Sequence, residues 1–290
     1  MNPNNKSLLF SVLIANYNNG KFLDEAIDSI KAQTYKNWEI IIVDDCSTDN
    51  SAEIYKNYET DPRIKIYFND KNHGCGYTKR RCAELALGEI CGFLDPDDVL
   101  VGDDVIDVHV KKHMIFPNVS MVYSGMYRAD ENLKITAETP GKDLDPESSI
   151  LESCSWPIRP FATFKKEKYL LTEGIDAQMS RAVDYDLYYK LEEVGDLIHL
   201  DCIQYIQRCN PNSISLNDNS YKAVAWLTYA CVQAMKRRGI YNESLMLFPF
   251  EIKLKEYHRK GYNKATSSKV YKLGKIIAYP LLMLQKLWKK

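Results

Sequence analysis

Two clusters of carboxylates hold the chemistry this chain could do. Asp44-Asp45 follows the apolar run Ile40 to Val43, and Asp95-Pro96-Asp97-Asp98 follows Ile90 to Leu94. An Asp-x-Asp after a buried strand suits a hard divalent cation, because Mg²⁺ and Mn²⁺ take carboxylate oxygens and leave positions open for substrate phosphates. Pro96 biases Asp95 toward an extended backbone and fixes the turn. A cation held there can bridge a diphosphate and stabilise the charge that grows as it departs. Acidic residues also simply open turns and helices. Two clusters about 50 residues apart, each ending an apolar run, make the pattern a candidate site.

These carboxylates need a scaffold, and residues 8 to 100 supply alternating strand and helix signals. The run 8–15 (LLFSVLIA) is apolar throughout, as a strand covered on both faces should be. Phe22, Leu23, Ala26, Ile27 and Ile30 recur at helical spacing. A second buried strand covers 39–43, a helix carries Ile54, Tyr55 and Tyr58, and Ile64, Ile66 and Phe68 alternate as a third strand. A Gly-rich loop over 72–76, a helix closing at 83–87 and a fourth strand over 90–94 follow. This β-α-β order predicts an α/β fold with a largely parallel sheet. Ligands of such sheets bind at the C-terminal ends of the strands, so Asp44, Asp45, Asp95, Asp97 and Asp98 are expected to share one crevice. Residues 106–218 are less regular: a strand at 121–123, a polar excursion over 129–149 and a helix over 185–194; the last 70 residues read as helical.

Composition narrows the function. With 45% hydrophobic and 27% charged residues the 290-residue chain can bury a core and is not a disordered tail. The formal charge of -1 gives no field for a nucleic-acid partner. Eight cysteines without a C-x-x-C pair read as free thiols in a reducing compartment, and the first apolar run reads as a strand rather than a signal peptide. The neutral total hides an asymmetry. Residues 251–290 carry ten Lys and one Arg against two Glu, leaving the first 250 residues at -10. The apolar stretch 276–284 is too short to span a bilayer and is broken by Pro280. Such a basic, Trp-bearing segment can lie on an anionic membrane surface or pack back on the domain.

Taken together, SVLIANYNNGKFLDEAIDSI, WEIIIVDDCSTDNS, the Asn72-x-Gly74 loop and GEICGFLDPDDVL resemble the nucleotide-sugar-binding half of glycosyltransferase family 2, which has the GT-A fold. The resemblance is close over residues 8 to about 105 and looser over 160–215. It implies a donor-binding half (1–105), an acceptor-binding half with the catalytic base (106–218) and a helical C-terminal region (219–290). Ala15, Asn16, Tyr17 and Asn18 would wall the base and ribose of a nucleotide-sugar donor, and Asp44 with Asp45 would hydrogen-bond the uracil or ribose. The family's basic residue falls on Lys79; a solvated helix face is its plain alternative. Asp95 would touch ribose or metal, Asp97 would be the principal ligand of Mg²⁺ or Mn²⁺, and Asp98 would cap the next helix. The family's Glu-Asp base motif falls on Val183-Asp184, which favours Asp184 over Asp186 as general base. Glu173-Gly174-Ile175-Asp176 would lie beside the acceptor. Arg208 would reach the diphosphate or form a structural ion pair, Asn210 stands where a histidine is common, and Trp156 would stack on a sugar or pack in the core.

The implied activity is an inverting, metal-assisted transfer from a nucleotide diphosphate donor, a UDP-sugar, to a hydroxyl of a glycan or lipid-linked glycan acceptor. It is expected in the cytoplasm, with peripheral contact at the inner face of the membrane through the tail. One base and one metal suffice for a single displacement, whereas a retaining scheme needs a carboxylate nucleophile. Two other readings compete. A sugar-1-phosphate nucleotidyltransferase would want a Gly-rich basic loop after the first strand, which residues 16–20 lack. A degenerate glycan-binding protein is favoured by Val183 and Asn210 and opposed by the intact Asp95-x-Asp97.

Overall fold

Strand β1 (Phe10–Asn16) and strand β2 (Trp38–Asp44) pair in parallel, with Asn16 opposite Asp44 at their C-terminal ends. The computed structural model describes residues 7–145, 149–152, 157–209, 220–242, 244–245 and 249. Helix α1 (Gly20–Lys31), helix α2 (Ser51–Tyr55) and helix α3 (Cys75–Leu85) make the crossovers to β2, β3 (Ile64–Phe68) and β4 (Ile90–Phe93). The alternation of side chains along β1 divides the core. Phe10, Val12 and Ile14 pack with Leu23 and Ile27 of α1, while Leu13 packs on the other face with Cys82 and Ala83 of α3. Both faces are therefore buried, which is why β1 and β2 read as unbroken apolar runs.

Beyond β4 come β5 (Val99–Leu100), α4 (Val105–Ile115), β6 (Val119–Ala129), β7 (Ile135–Thr139), β8 (Arg159–Lys165), α5 (Lys166–Tyr169), α6 (Val183–Glu192), β9 (Asp196–Arg208) and α7 (Ser220–Arg238). One sheet runs in the order β3-β2-β1-β4-β8-β6-β9-β5, with β7 on β6. Strands β3, β2, β1, β4, β6 and β9 run one way; β8, β7 and β5 are antiparallel to their neighbours. The sheet is thus mostly parallel, as expected. Gly92 lets β4 approach β8, since a Cβ there would stand 2.6 Å from the Phe161 ring.

Two elements depart from the sequence reading. The polar excursion contains β7, and β9 is a long strand through a stretch that looked irregular. Register shifts between β6 and β9 break the two-residue alternation that marks a strand. At the C-terminal side α7 packs back on α6: Tyr189 and Cys231 are 3.3 Å apart, and Arg238 pairs with Glu192 and Glu193. The seven described cysteines are free thiols. Among the described residues no helix is long and apolar enough to cross a membrane. Trp156, Asn210 and the basic tail 251–290 lie outside the described residues.

Candidate active site

The ends of β1 and β2 form a buried polar layer. Asp44 accepts from the Ser47 amide (2.7 Å), the Tyr55 hydroxyl (2.7 Å) and the Asn16 side-chain amide (3.1 Å). Asn16 also donates to Ser51, while its Oδ1 is buried without a protein partner. Asp45 accepts from Asn69 Nδ2 and from the His73 and Gly74 amides, and so holds the Gly-rich loop against the sheet. Gly74 has φ +90°, a left-handed conformation that a side chain strains. Asn18, also left-handed at φ 55°, receives the Thr48 amide on its Oδ1, and Tyr17 beside it is exposed. Ala15 is half-buried in β1, so the expected wall of residues 15–18 runs from core to solvent.

Two strands away, about 10 Å across the sheet, the Asp95 turn closes with the Asp98 amide donating to the Asp95 carbonyl at 3.0 Å. Asp98 does not cap α4, which begins at Val105. Its buried carboxylate accepts instead from the Tyr205 hydroxyl (2.6 Å) and the Arg208 amide (2.7 Å), both on β9. The Asp95 amide donates to the same Tyr205 oxygen at 3.3 Å. Arg208 is buried: its guanidinium pairs with Glu25, donates to the carbonyls of Asp97 (2.8 Å) and Glu131, and stacks on Phe22. The sequence pointed to neither Tyr205 nor the β9 anchor of Asp98, because β9 itself was hidden.

Helix α3 brings Lys79 inward to Asp95, Nζ to Oδ1 3.0 Å, rather than onto a solvated face. Arg80 and Arg81 beside it bond outward, to Glu84 and to the Phe68 carbonyl. The first turn of α3 is fixed to residues 176–179: the Gly76 amide donates to the Met179 carbonyl at 2.9 Å, and a Cβ at Gly76 would stand 2.4 Å from that oxygen. The same segment leads into α6. Ala182, just before the helix, holds a left-handed φ of 54°.

Asp184 on the first turn of α6 lines one narrow cleft with Lys79, Asp95 and Tyr205. Burial lifts its carboxyl above the usual carboxylate range; the Lys79 ammonium opposes the shift and the Asp95 charge adds to it. Burial pulls Lys79 down, yet Asp95 with Cys75 and Asp184 holds its ammonium well above the ordinary value. Asp186 has another fate: it is buried in an ion pair with Lys190 at 2.6 Å, and Lys190 also donates to the Gly174 carbonyl. Asp176, in the segment expected beside the acceptor, receives the Tyr229 hydroxyl of α7.

Asp97 and Asp95 are the residues that could hold a cation. Burial, with the neighbouring Asp95 charge, raises the Asp97 carboxyl to about 6. A carboxylate raised by a neighbouring negative charge is relieved by a positive ion, and a two-carboxylate donor set leaves positions for phosphate oxygens as Mg²⁺ and Mn²⁺ require. The described residues contain no cluster of three or more such ligands. The residues therefore fit an ion shared with a substrate and not a closed structural cage.

Chondroitin synthase of Escherichia coli is 28% identical over 236 residues, 74% of this chain and 32% of that protein. Hyaluronan synthase of Pasteurella multocida is 28% identical over 215 residues, 69% of this chain and 20% of that protein. The chain thus spans a third or less of the length of these synthases. Among solved structures, S. aureus TarS 1-349 in complex with UDP-GlcNAc superposes with a TM-score of 0.64 at 18% identity, covering 93% of this chain and 79% of that one. The mannosyltransferase PcManGT from Pyrobaculum calidifontis, in complex with GDP-Man and Mn²⁺, gives a TM-score of 0.60 at 16% identity, covering 99% and 89%. The fold is of the GT-A type. The family described as glycosyl transferase family 2 matches residues 11–172, more than half of the chain, and the chain belongs to that family of glycosyltransferases.

Proposed function

We propose that the protein is an inverting glycosyltransferase that moves a sugar from a nucleotide diphosphate donor, a UDP-sugar, to a hydroxyl of a glycan or lipid-linked glycan acceptor. The observation that carries the reading is the convergence of Lys79, Asp95 and Asp184 on one cleft, from three separate elements. The polar layer of Asn16, Asp44 and Asp45 lies at the same sheet edge, where a base and ribose would sit in this reading. Support for such a donor also comes from structural neighbours solved with UDP-GlcNAc and with GDP-Man and Mn²⁺. The chondroitin and hyaluronan synthases among its relatives support a role in glycan synthesis.

In this reading Asp184 accepts the proton of the acceptor hydroxyl while that oxygen attacks the sugar C1 and the C1–O bond to the diphosphate breaks. Its raised pKa makes it a better base than an exposed carboxylate. Lys79 places a fixed positive charge beside Asp95, where the leaving diphosphate gathers negative charge. A divalent cation held by Asp97 and Asp95, Mg²⁺ or Mn²⁺, supplies the remaining positive charge when bound. Arg208 reaches the same region through the Asp97 carbonyl. A single displacement inverts the anomeric centre, and Asp186, tied to Lys190, is not available as a nucleophile under the sugar. The basic tail fits a cytoplasmic enzyme that meets a membrane surface. A panel of nucleotide sugars with Mn²⁺ tests the reading. Thermal stabilisation by one nucleotide class is expected, with loss of the metal-dependent part in Asp97→Ala, and no response to any nucleotide contradicts it.

A further inference from the structure

The end of the sheet away from the cleft carries an apolar surface set among lysines. Leu87 precedes β4, Met114, Ile115 and Phe116 end α4, and Leu170 and Leu171 follow α5. Leu87 is 66% exposed, Ile115 67%, Leu170 68% and Leu171 69%. Exposed apolar side chains scattered singly are ordinary; a group drawn from three joined segments is not. Lysines join these segments. The Lys166 ammonium donates to the Ala86 carbonyl, next to Leu87, and the Lys166 amide donates to the Glu89 carbonyl at 2.9 Å. Lys165 donates to the Phe116 and Pro117 carbonyls at 3.2 and 2.7 Å, and Lys168 to Asn118 Oδ1 at 3.0 Å. Helix α5 therefore lies between the other two segments, and the six side chains share one face.

The charge on this face is mostly positive. Residues 111–118 and 165–171 hold five Lys against one Glu. Lys165, Lys166 and Lys168 hydrogen-bond to neutral acceptors, which leave their charge uncompensated, and Lys112 lies over the Phe116 ring. The carboxylates nearby are engaged with other groups: Asp107 with Lys111, Glu89 with the Leu9 amide and Asp196 with Asn118. Helix α7 ends at the same face. Arg238 pairs there with Glu192 and Glu193, and Val194 accepts from Lys168 at 2.8 Å. The chain thus leaves α7 at this face, ahead of the basic residues 251–290.

Like charge argues against two occupants. Residues 251–290 are themselves strongly basic, and a second copy related by a two-fold axis would set lysines against lysines. An anionic lipid surface satisfies both features, since its phosphates meet the ammonium groups while its acyl boundary takes the leucines. We infer that this face docks the folded body on an anionic bilayer. Leu87, Ile115, Leu170 and Leu171 enter the headgroup region, and Lys112, Lys165, Lys166 and Lys168 meet lipid phosphates. This contact is separate from the tail, and it fixes an orientation. Lys165 stands opposite Ile90 at the start of β4, and the four residues of β4 lead away from the face toward the Asp95 turn, spanning about 10 Å. The cleft then opens away from the lipid, toward groups held off the membrane surface.

Hydrogen exchange of the full chain, with no nucleotide present, tests the docking independently of the transferase reading. One set of vesicles is phosphatidylcholine alone and the other adds phosphatidylglycerol. The anionic vesicles should slow exchange in 111–118 and 165–171 and leave 44–50 and 93–98 unchanged, while the neutral ones slow neither. In flotation with the anionic vesicles, Leu170→Glu combined with Leu171→Glu should weaken binding about tenfold. A thermal melt checks that this double variant folds, and the wild-type exchange pattern decides the matter if it does not. Slowing confined to 251–290, slowing at the cleft end, or unchanged binding by the folded double variant overturns the inference. So does a face already protected without vesicles in a chain that sediments as a dimer, which would make it an interface between copies.

Discussion

Asp184 and Asp186 stand two residues apart on α6 and meet opposite environments, which separates two roles the sequence left adjacent. Asp184 faces the cleft with a raised pKa, and Asp186 is locked to Lys190 in the core. Asp184→Asn should keep donor affinity and lower transfer by about 10²–10⁴-fold. The same change should raise thermal stability near neutral pH. A carboxyl whose folded pKa lies above its unfolded value disfavours the fold once it ionises, so that penalty is absent below about pH 4 and complete above the raised value. Melting curves of wild type and Asp184→Asn at pH 3.5 and 7.5 check this; a variant less stable than wild type at pH 7.5 contradicts it. Asp186→Asn should instead cost about 3 kcal/mol by leaving Lys190 buried without its partner, measured by urea unfolding. The preference for Asp184 came from a motif match, whereas the contrast in burial needed the fold, since helical spacing alone does not say which face meets the sheet.

At the scale of elements, the entry to α6 and the seat of α4 make separate predictions. Ala182 pays for a left-handed backbone just before α6. Ala182→Gly should relieve that strain and stabilise the protein by about 0.5–1 kcal/mol, and a loss of stability in chemical unfolding argues against the assigned conformation. Under α4, buried His109 bonds Thr163 and Gln204 while His113 bonds the same Thr163. Burial depresses the pKa of His109 to about 4 and of His113 to about 3. Groups depressed in the fold contribute stability that is present above the ordinary histidine value and is lost as pH falls from about 6.5 toward 4. The unfolding free energy should therefore decline over that window, and His113→Leu should make the decline shallower. An unchanged slope in the variant contradicts the assignment. Strands β1 to β4 were legible because burial on both faces writes continuous apolar runs. Strand β9 was not, because its bulges against β6 erase the alternation; Arg208 was singled out with a structural ion pair as one alternative, but the Tyr205 support of the Asp95 turn went unseen.

For the whole molecule, a continuous sheet carries the site from β2 across β1 and β4, while α3 and α6 close over it from one face. The near-neutral charge of the chain concealed an acidic body whose carboxylates serve different ends. Asp45 secures a loop, Asp98 anchors β9, and Asp95 and Asp184 line the cleft. The motif order in the sequence was enough to find the sheet edge where these carboxylates gather, but not to tell Asp98, held by hydrogen bonds, from those that line the cleft; that distinction depends on partners contributed by residues more than 100 positions away. The most direct test of the account is the acceptor-independent hydrolysis of a nucleotide sugar with Mn²⁺, compared in wild type, Asp184→Asn and Asp186→Asn at matched donor occupancy. The account predicts slow hydrolysis by wild type and by folded Asp186→Asn, with less than about one hundredth of that rate in Asp184→Asn. Full hydrolysis by Asp184→Asn together with loss in Asp186→Asn would contradict it.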